Sequence, residues 1–273
     1  MRIILLLIFP LFIFASERII TLAPSLSEIV FALGKGKDLV GVSEFSTWPK
    51  AVKDITKVGG YSNPSLERIL SLNPTLVIGQ GKYSHTINQV KQLGVNTLSL
   101  EMKTIEEIKD SIQKIAKVLK TDASPLIDPI NKAVEDIKKA KTSKSYILGQ
   151  RVLIIYGLSL DINRGMYIAG HNIFYEDIIK LSGAENAFNG EILSQPVIHY
   201  EGLLELNPDI VILIHQETTD GTIDKEKAKE LWYNIPINAS KNKKIYIMQK
   251  TYLSIPSHRV AHSIRDISEL ITR

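Results

Sequence analysis

The chain has 273 residues, 44% of them hydrophobic, enough for one large core or two modest ones. Its net charge of +4 and pI near 9.0 come mostly from lysines scattered over helices and over loops such as 241–244, without the interleaved arginine and aromatic array of a nucleic-acid site. Cysteine is absent, which excludes disulfides, Cys-ligated zinc, iron–sulfur clusters, thiol catalysis and lipid attachment at an N-terminal Cys.

The chain opens with MRIILLLIFPLFIFAS: one basic residue, then an apolar run over residues 3–14. That run is shorter than the ~20 residues a spanning helix needs, and residues 1–16 read as a secretory signal peptide. Phe14 or Ile13 at the third position before the cut is larger than usual, so the cleavage point stays open, with an uncleaved anchor as the alternative. A first unit follows. RIITLAP predicts a strand ending in a turn, and SLSEIVFALG predicts a helix capped by Ser25 or Ser27 and closed by Gly34. DLVGVS (38–43), TLVIGQ (75–80) and NTLSL (96–100) are further candidate strands.

One sentence is written twice. LERILSLNPTLVIG at 66–79 returns as YEGLLELNPDIVIL at 200–213, 134 residues later, with Glu second, Asn-Pro eighth and ninth, and Val-Ile near the end. Each copy predicts a short amphipathic helix, a stop at Asn-Pro, and a strand covered on both faces. Segments 104–120 and 124–141 are charged and amphipathic without a strand signal, which predicts long helices. A second unit restarts with RVLIIYG (151–157), MYIAG, the helix FYEDIIKLSG, the repeated sentence and KIYIM (244–248). The expected fold is therefore α/β: two similar lobes at 17–122 and 143–273, joined by one long interlobe helix at 123–142.

In sequence and order, RIITLAPSLSEIVFALG, LVGVSEFSTWP, KVGGYSNPSLERILSLNPTLVIG, MYIAGHNIFYEDIIKLSGAENAF and YEGLLELNPDIVIL resemble the periplasmic binding proteins of ABC importers for cobalamin, haem and iron-siderophores, with cobalamin-binding members nearest. The likeness covers nearly the whole mature chain. It implies a periplasmic monomer that holds a metal chelate in the cleft between its lobes and delivers it to a permease dimer. Cobalamin or a related corrinoid ranks first, haem second and a ferric siderophore third, because a negatively charged chelate calls for several arginines and the loops offer mainly Arg164 and Arg259.

Glu67 and Glu201 hold the same place in the two copies, at a helix start where the dipole favours a carboxylate. Helix-end electrostatics alone accounts for them; the resemblance adds a docking anchor on each lobe for a basic pocket of the permease. Tyr61, brought forward by Gly59-Gly60, stands where relatives stack a ring or ligate iron. The resemblance also places Phe45, Trp48, Tyr252 and Arg259 near the ligand, and Tyr83 could add a hydroxyl. Gln195 stands where a Trp is expected, so the C-terminal wall is expected to lack a stacking platform.

An exported metal-binding protein or hydrolase using His258 and His262 is the reading from another class. Their spacing suits zinc on one helical face, but Arg259 replaces the general base of H-E-x-x-H and no third ligand is evident. No metal site and no resident cofactor are expected. His199 is expected at a helix start or on the docking surface, and His85, His171 and His215 are expected to be structural or exposed. No G-x-S-x-G and no phosphate-binding glycine loop occur, so no enzyme is expected.

Overall fold

The computed structural model describes residues 17–81, 84–143, 149–158, 161, 164–191, 194–215 and 224–273. Residues 1–16, the expected signal peptide, and Tyr83 lie outside the described residues. Among those described, no helix is long and apolar enough to cross a membrane.

The N-terminal lobe runs β1 (Ile19–Thr21), α1 (Pro24–Ala32), β2 (Leu39–Val42), α2 (Leu66–Ser71), β3 (Leu76–Gln80), α3 (His85–Gln92), β4 (Asn96–Leu100) and α4 (Ile105–Leu119). The 20-residue helix α5 (Ser124–Ser143) follows. The C-terminal lobe runs β5 (Arg151–Tyr156), β6 (Met166–Ile168), α6 (Phe174–Leu181), β7 (Glu185–Asn186), β8 (Val197–Ile198), α7 (Tyr200–Leu206) and β9 (Ile210–Ile214). It closes with α8 (Lys225–Tyr233), α9 (Asn238–Lys241), β10 (Ile245–Met248) and α10 (Val260–Ile271).

The first sheet is entirely parallel, in the order β2-β1-β3-β4. The second has the order β10-β9-β5-β6-β8, with β7 also paired to β5; here β6 runs antiparallel to both its neighbours. Every strand of the repeated sentence lies beside the first strand of its lobe, Val77 opposite Ile20 and Val211 opposite Leu153. Those strands alternate between two apolar layers, Ile154 and Ile212 facing one and Leu153 and Val211 the other, which is why they read as continuous hydrophobic runs.

The repeat owes its spelling to one backbone device. Asn73 ends α2 at φ 45° and Asn207 ends α7 at φ 39°. The following proline disfavours right-handed helical geometry at these residues, and asparagine tolerates the left-handed region better than other side-chain-bearing residues. The residue after each proline then bonds the start of the lobe's first strand: Thr75 N donates to the carbonyl of Arg18, just before β1, at 2.9 Å, and Asp209 N to that of Arg151, the first residue of β5, at 2.8 Å.

Not every predicted cap forms. Helix α1 starts with Pro24 at its first turn, and neither Ser25 nor Ser27 caps it; Ser27 instead meets Thr21 Oγ1 at 2.8 Å and Ser46 Oγ at 3.0 Å inside the lobe. Gly34 closes it at φ 78°. Helix α4 carries a reciprocal cap, Glu107 N donating to Thr104 Oγ1 and Thr104 N to the Glu107 carboxylate.

More than one helix holds the lobes together. A single apolar layer runs from Ile19 and Leu26 through Ile112 and Ile130 to Ile212 and Val260. Asp177 of α6 accepts the backbone N–H of Ile105 across the lobes at 2.8 Å. Buried Glu28 of α1 pairs with buried Arg259 of the C-terminal lobe.

Candidate ligand-binding cleft

A cleft of about 850 Å³ opens between the lobes. It sits just beyond the carboxyl ends of β4, β5 and β9, where open α/β sheets bind ligands. Tyr61, Met102 and Lys103 form its N-terminal wall. The opposite wall includes Tyr156, Tyr167, Phe174, Tyr175, Gln195 and His215.

Tyr61 lines the cleft on its N-terminal side. Gly59 adopts φ 115°, and a Cβ there would sit 2.9 Å from the Asn63 carbonyl; a Cβ on Gly60 would sit 2.5 Å from Asn63 Oδ1. Gly59 is required by its positive φ and by the backbone packed against it, while at Gly60 only the Asn63 side chain would have to move; the bend leaves Tyr61 53% exposed in the cleft. Burial of the other part of the side chain and nearby Glu101 push the phenol pKa up, so it stays protonated.

The structure corrects the expectation that the C-terminal wall lacks an aromatic platform. Tyr167, the middle residue of β6, points away from the core between buried Met166 and Ile168 and is 58% exposed on the cleft wall. The sequence signal was there, an aromatic at the outward position of a short strand, but the side it faces depends on β6 reversing direction. Beneath lies an aromatic floor: Tyr175 is stacked on Phe174 with centroids 4.1 Å apart and meets the Tyr156 ring edge-on at 5.8 Å. The Tyr175 hydroxyl is satisfied by the Leu253 carbonyl. His215, buried at the end of β9, also reaches this wall, which its isolation in the sequence did not reveal.

Other expected ligand contacts are absent from the described cleft wall. Arg259 spends its guanidinium on Glu28: Nε donates to Glu28 Oε2 at 2.9 Å and Nη2 to Oε1, while Nη1 reaches Thr251 Oγ1 at 3.1 Å. Trp48 lies over that guanidinium at 4.3 Å, so its ring face is occupied. Tyr252 donates to Asp266 of α10 and packs its ring on His262 at 5.3 Å; burial and Asp266 push its pKa up to about 12. Phe45 is 64% exposed on a loop tied to the Tyr61 bend by Glu44 N to Gly59 O at 3.0 Å, outside the cleft lining. Burial is the main cause that raises the Glu28 pKa, against the bonds from Arg259 and Ser257.

Helix α10 begins at Val260, so His258 precedes it and does not share a helical face with His262. His258 is half-buried beside Arg259, and this burial lowers its pKa to about 4, with the Arg259 and His262 charges adding to the effect. Among the described residues no three histidine or carboxylate side chains form a metal cage. His199 precedes the first turn of α7 as its N-cap residue, and Glu67 and Glu201 are exposed in the first turns of α2 and α7.

Two α/β lobes with an aromatic cleft between them, and a continuous core behind it, define a solute-binding protein. Residues 19–252 match the model of the periplasmic binding protein family, and the chain belongs to that family. The vitamin B12-binding protein of Vibrio parahaemolyticus is 26% identical over 255 residues, 93% of this chain and 88% of its own. An ABC transporter substrate-binding lipoprotein of Bacillus subtilis, YvrC, is 27% identical over 262 residues, 93% and 80% of the two chains. The periplasmic heme-binding protein RhuT from Roseiflexus sp. RS-1, in apo form, superposes with a TM-score of 0.75 at 23% identity over 94% of this chain and 98% of that one. The family and these relatives are binding proteins.

Proposed function

We propose that this protein is the exported solute-binding component of an ABC importer and captures cobalamin or a related corrinoid between lobes 17–122 and 143–273, on either side of helix 123–142. The observation that carries the ligand class is the pair of exposed phenol rings, Tyr61 and Tyr167, on opposite walls of a cleft sized for a large planar group. Lys103 is the one cation among the described lining residues, which suits a ligand with a largely neutral periphery better than a polyanionic siderophore. Residues 1–16 direct export. Glu67 and Glu201, one per lobe at matching helix starts, meet basic pockets on the two permease subunits.

Absorbance titration of the purified protein with cobalamin and with haem tests the ligand class. Cobalamin is expected to bind and Tyr61→Ala to weaken it about tenfold, the loss of about 0.5 to 1.5 kcal/mol of stacking plus buried area; Tyr61→Phe is expected to be nearly silent. A haem spectrum with a phenolate band that Tyr61→Phe abolishes would replace the corrinoid by haem.

A further inference from the structure

Of the buried side-chain polar atoms without a hydrogen-bond partner in the described structure, only the Tyr156 hydroxyl belongs to a cleft-lining residue. Its neighbour Tyr175, equally phenolic, has its hydroxyl satisfied by the Leu253 carbonyl. Phenylalanine at 156 would fill the same space without desolvating a hydroxyl, so an unpaired one at the end of β5 calls for a reason. Burial pushes its pKa well up, and it remains a donor at all working pH values. The exposed amide of Gln195 lies beside this hydroxyl without closing a bond of hydrogen-bond geometry.

We propose that Tyr156 and Gln195 together read a carboxamide on the ligand, the phenol donating to its carbonyl oxygen and the Gln195 amide oxygen accepting its N–H. The proposal rests on the corrinoid reading of the cleft and narrows it to a corrinoid whose ring edge carries amide side chains. A glutamine offers both an acceptor and a donor, so an amide can satisfy the pair as a donor and an acceptor at once. A carboxylate could accept from the phenol and from Gln195 Nε2, but it would enter this wall without a counter-charge, since no cation is among the described lining residues here and Lys103 stands on the other lobe; a neutral amide needs none. Gln195 is exposed and Tyr156 is held by the Tyr175 ring, so the fixed donor selects and the adaptable amide follows. The arrangement was hidden in the sequence, where Tyr156 reads as the last residue of a buried strand.

The test is Tyr156→Phe, which removes one oxygen, measured against cobalamin, with its amide side chains, and haem, with its carboxylates. Cobalamin affinity is expected to fall about tenfold and haem affinity, if any, to change less than twofold. The melting temperature of the ligand-free protein is expected to stay level or rise, since an unpaired buried hydroxyl is gone. Gln195→Met should weaken cobalamin about three- to tenfold without lowering the melting temperature. Unchanged cobalamin affinity in Tyr156→Phe overturns the amide-reading pair and leaves the corrinoid reading standing. A lowered melting temperature with unchanged affinity would make the hydroxyl structural and likewise overturns it. Wild-type protein that binds neither probe overturns both readings.

Discussion

The two lobes share a backbone device and differ in what they build around it. In both, a short helix ends at an asparagine in the left-handed region, and a parallel strand enters the sheet beside the lobe's first strand. The N-terminal sheet then stays parallel and gives the cleft a thin wall, Tyr61, Met102 and Lys103. The C-terminal sheet adds antiparallel β6 and β8, which turn Tyr167 and Gln195 toward the ligand space and make that wall the larger. The common part positions the exposed carboxylates Glu67 and Glu201; the divergent part supplies most of the cleft wall. Under the proposed function, recognition of the solute and presentation to the permease would then lie on separable parts of the same fold.

The largest expected effect comes from uncoupling the lobes. Arg259→Ala would leave Glu28 buried without its partner, and breaking a buried pair in this way costs about 3 to 5 kcal/mol. Thermal unfolding should show a large drop in melting temperature, and Glu28→Gln with Arg259→Met together should recover much of it, because both charges are then gone. A small effect of Arg259→Ala would mean that the apolar layer, α5 and the Asp177–Ile105 bond couple the lobes without this pair.

Charge reversal of the outward carboxylates comes next. Glu67→Lys or Glu201→Lys should leave ligand affinity unchanged, as both side chains are exposed and outside the described cleft lining. Uptake of labelled ligand by cells should collapse, since like charges across an interface cost several kcal/mol, and the double reversal should be the worst. The copies are not identical: Arg68 and Ser71 flank Glu67 where Gly202 and Glu205 flank Glu201. Normal uptake in both single mutants would reduce the repeat to a packing device.

How much of this was legible in the sequence follows from the range of the interactions involved. The parallel strands, α4, α5 and the stops at Asn73 and Asn207 are set by local periodicity, caps and prolines, and they appear where the residues put them. Tyr61 was readable because two glycines announce its bend. The roles of Arg259 and Trp48 were not, because Arg259 meets Glu28 and Trp48 from more than two hundred residues away and from the other lobe. Tyr156, Tyr167 and His215 became wall residues only through strand direction and lobe placement, which no local pattern encodes. Gln195 was placed at the cleft by likeness, while its neighbourhood with Tyr156 needed the fold.

A smaller effect is expected where the larger wall is braced. Glu176 in the first turn of α6 accepts from His171 Nδ1 at 3.0 Å, Asn172 N at 2.9 Å and Lys180 Nζ at 2.8 Å. Burial raises its pKa, but these bonds outweigh it and bring the pKa from 4.5 down to about 2. A carboxylate with a depressed folded-state pKa contributes stability that is full above the unfolded value and is lost as pH falls through the folded one. Glu176→Gln should therefore cost about 1 to 2 kcal/mol at neutral pH, allowing for solvent screening of the Lys180 arm. The deficit relative to wild type should shrink from about pH 4.5 downward and close near pH 2; an equal deficit throughout an acid titration would refute the ionic account.

The smallest effect separates the two copies of the shared device. Glycine adopts the left-handed region without strain, so Asn73→Gly should be close to neutral: Asn73 is exposed, and the chain end it makes needs only the backbone angle. Asn207 does a second job, since its Oδ1 accepts the backbone N–H of Asn238 at 2.8 Å and so ties α7 to the start of α9. Asn207→Gly keeps the angle and loses that bond, at a cost of about 1 kcal/mol. Alanine at either position should cost about 1 to 2 kcal/mol through backbone strain, with the bond lost in addition at 207. Denaturant unfolding of the four variants would resolve the angle from the bond. If Asn207→Gly proves as mild as Asn73→Gly, the side-chain bond adds nothing to stability, and the asparagine in both copies is there for the angle alone.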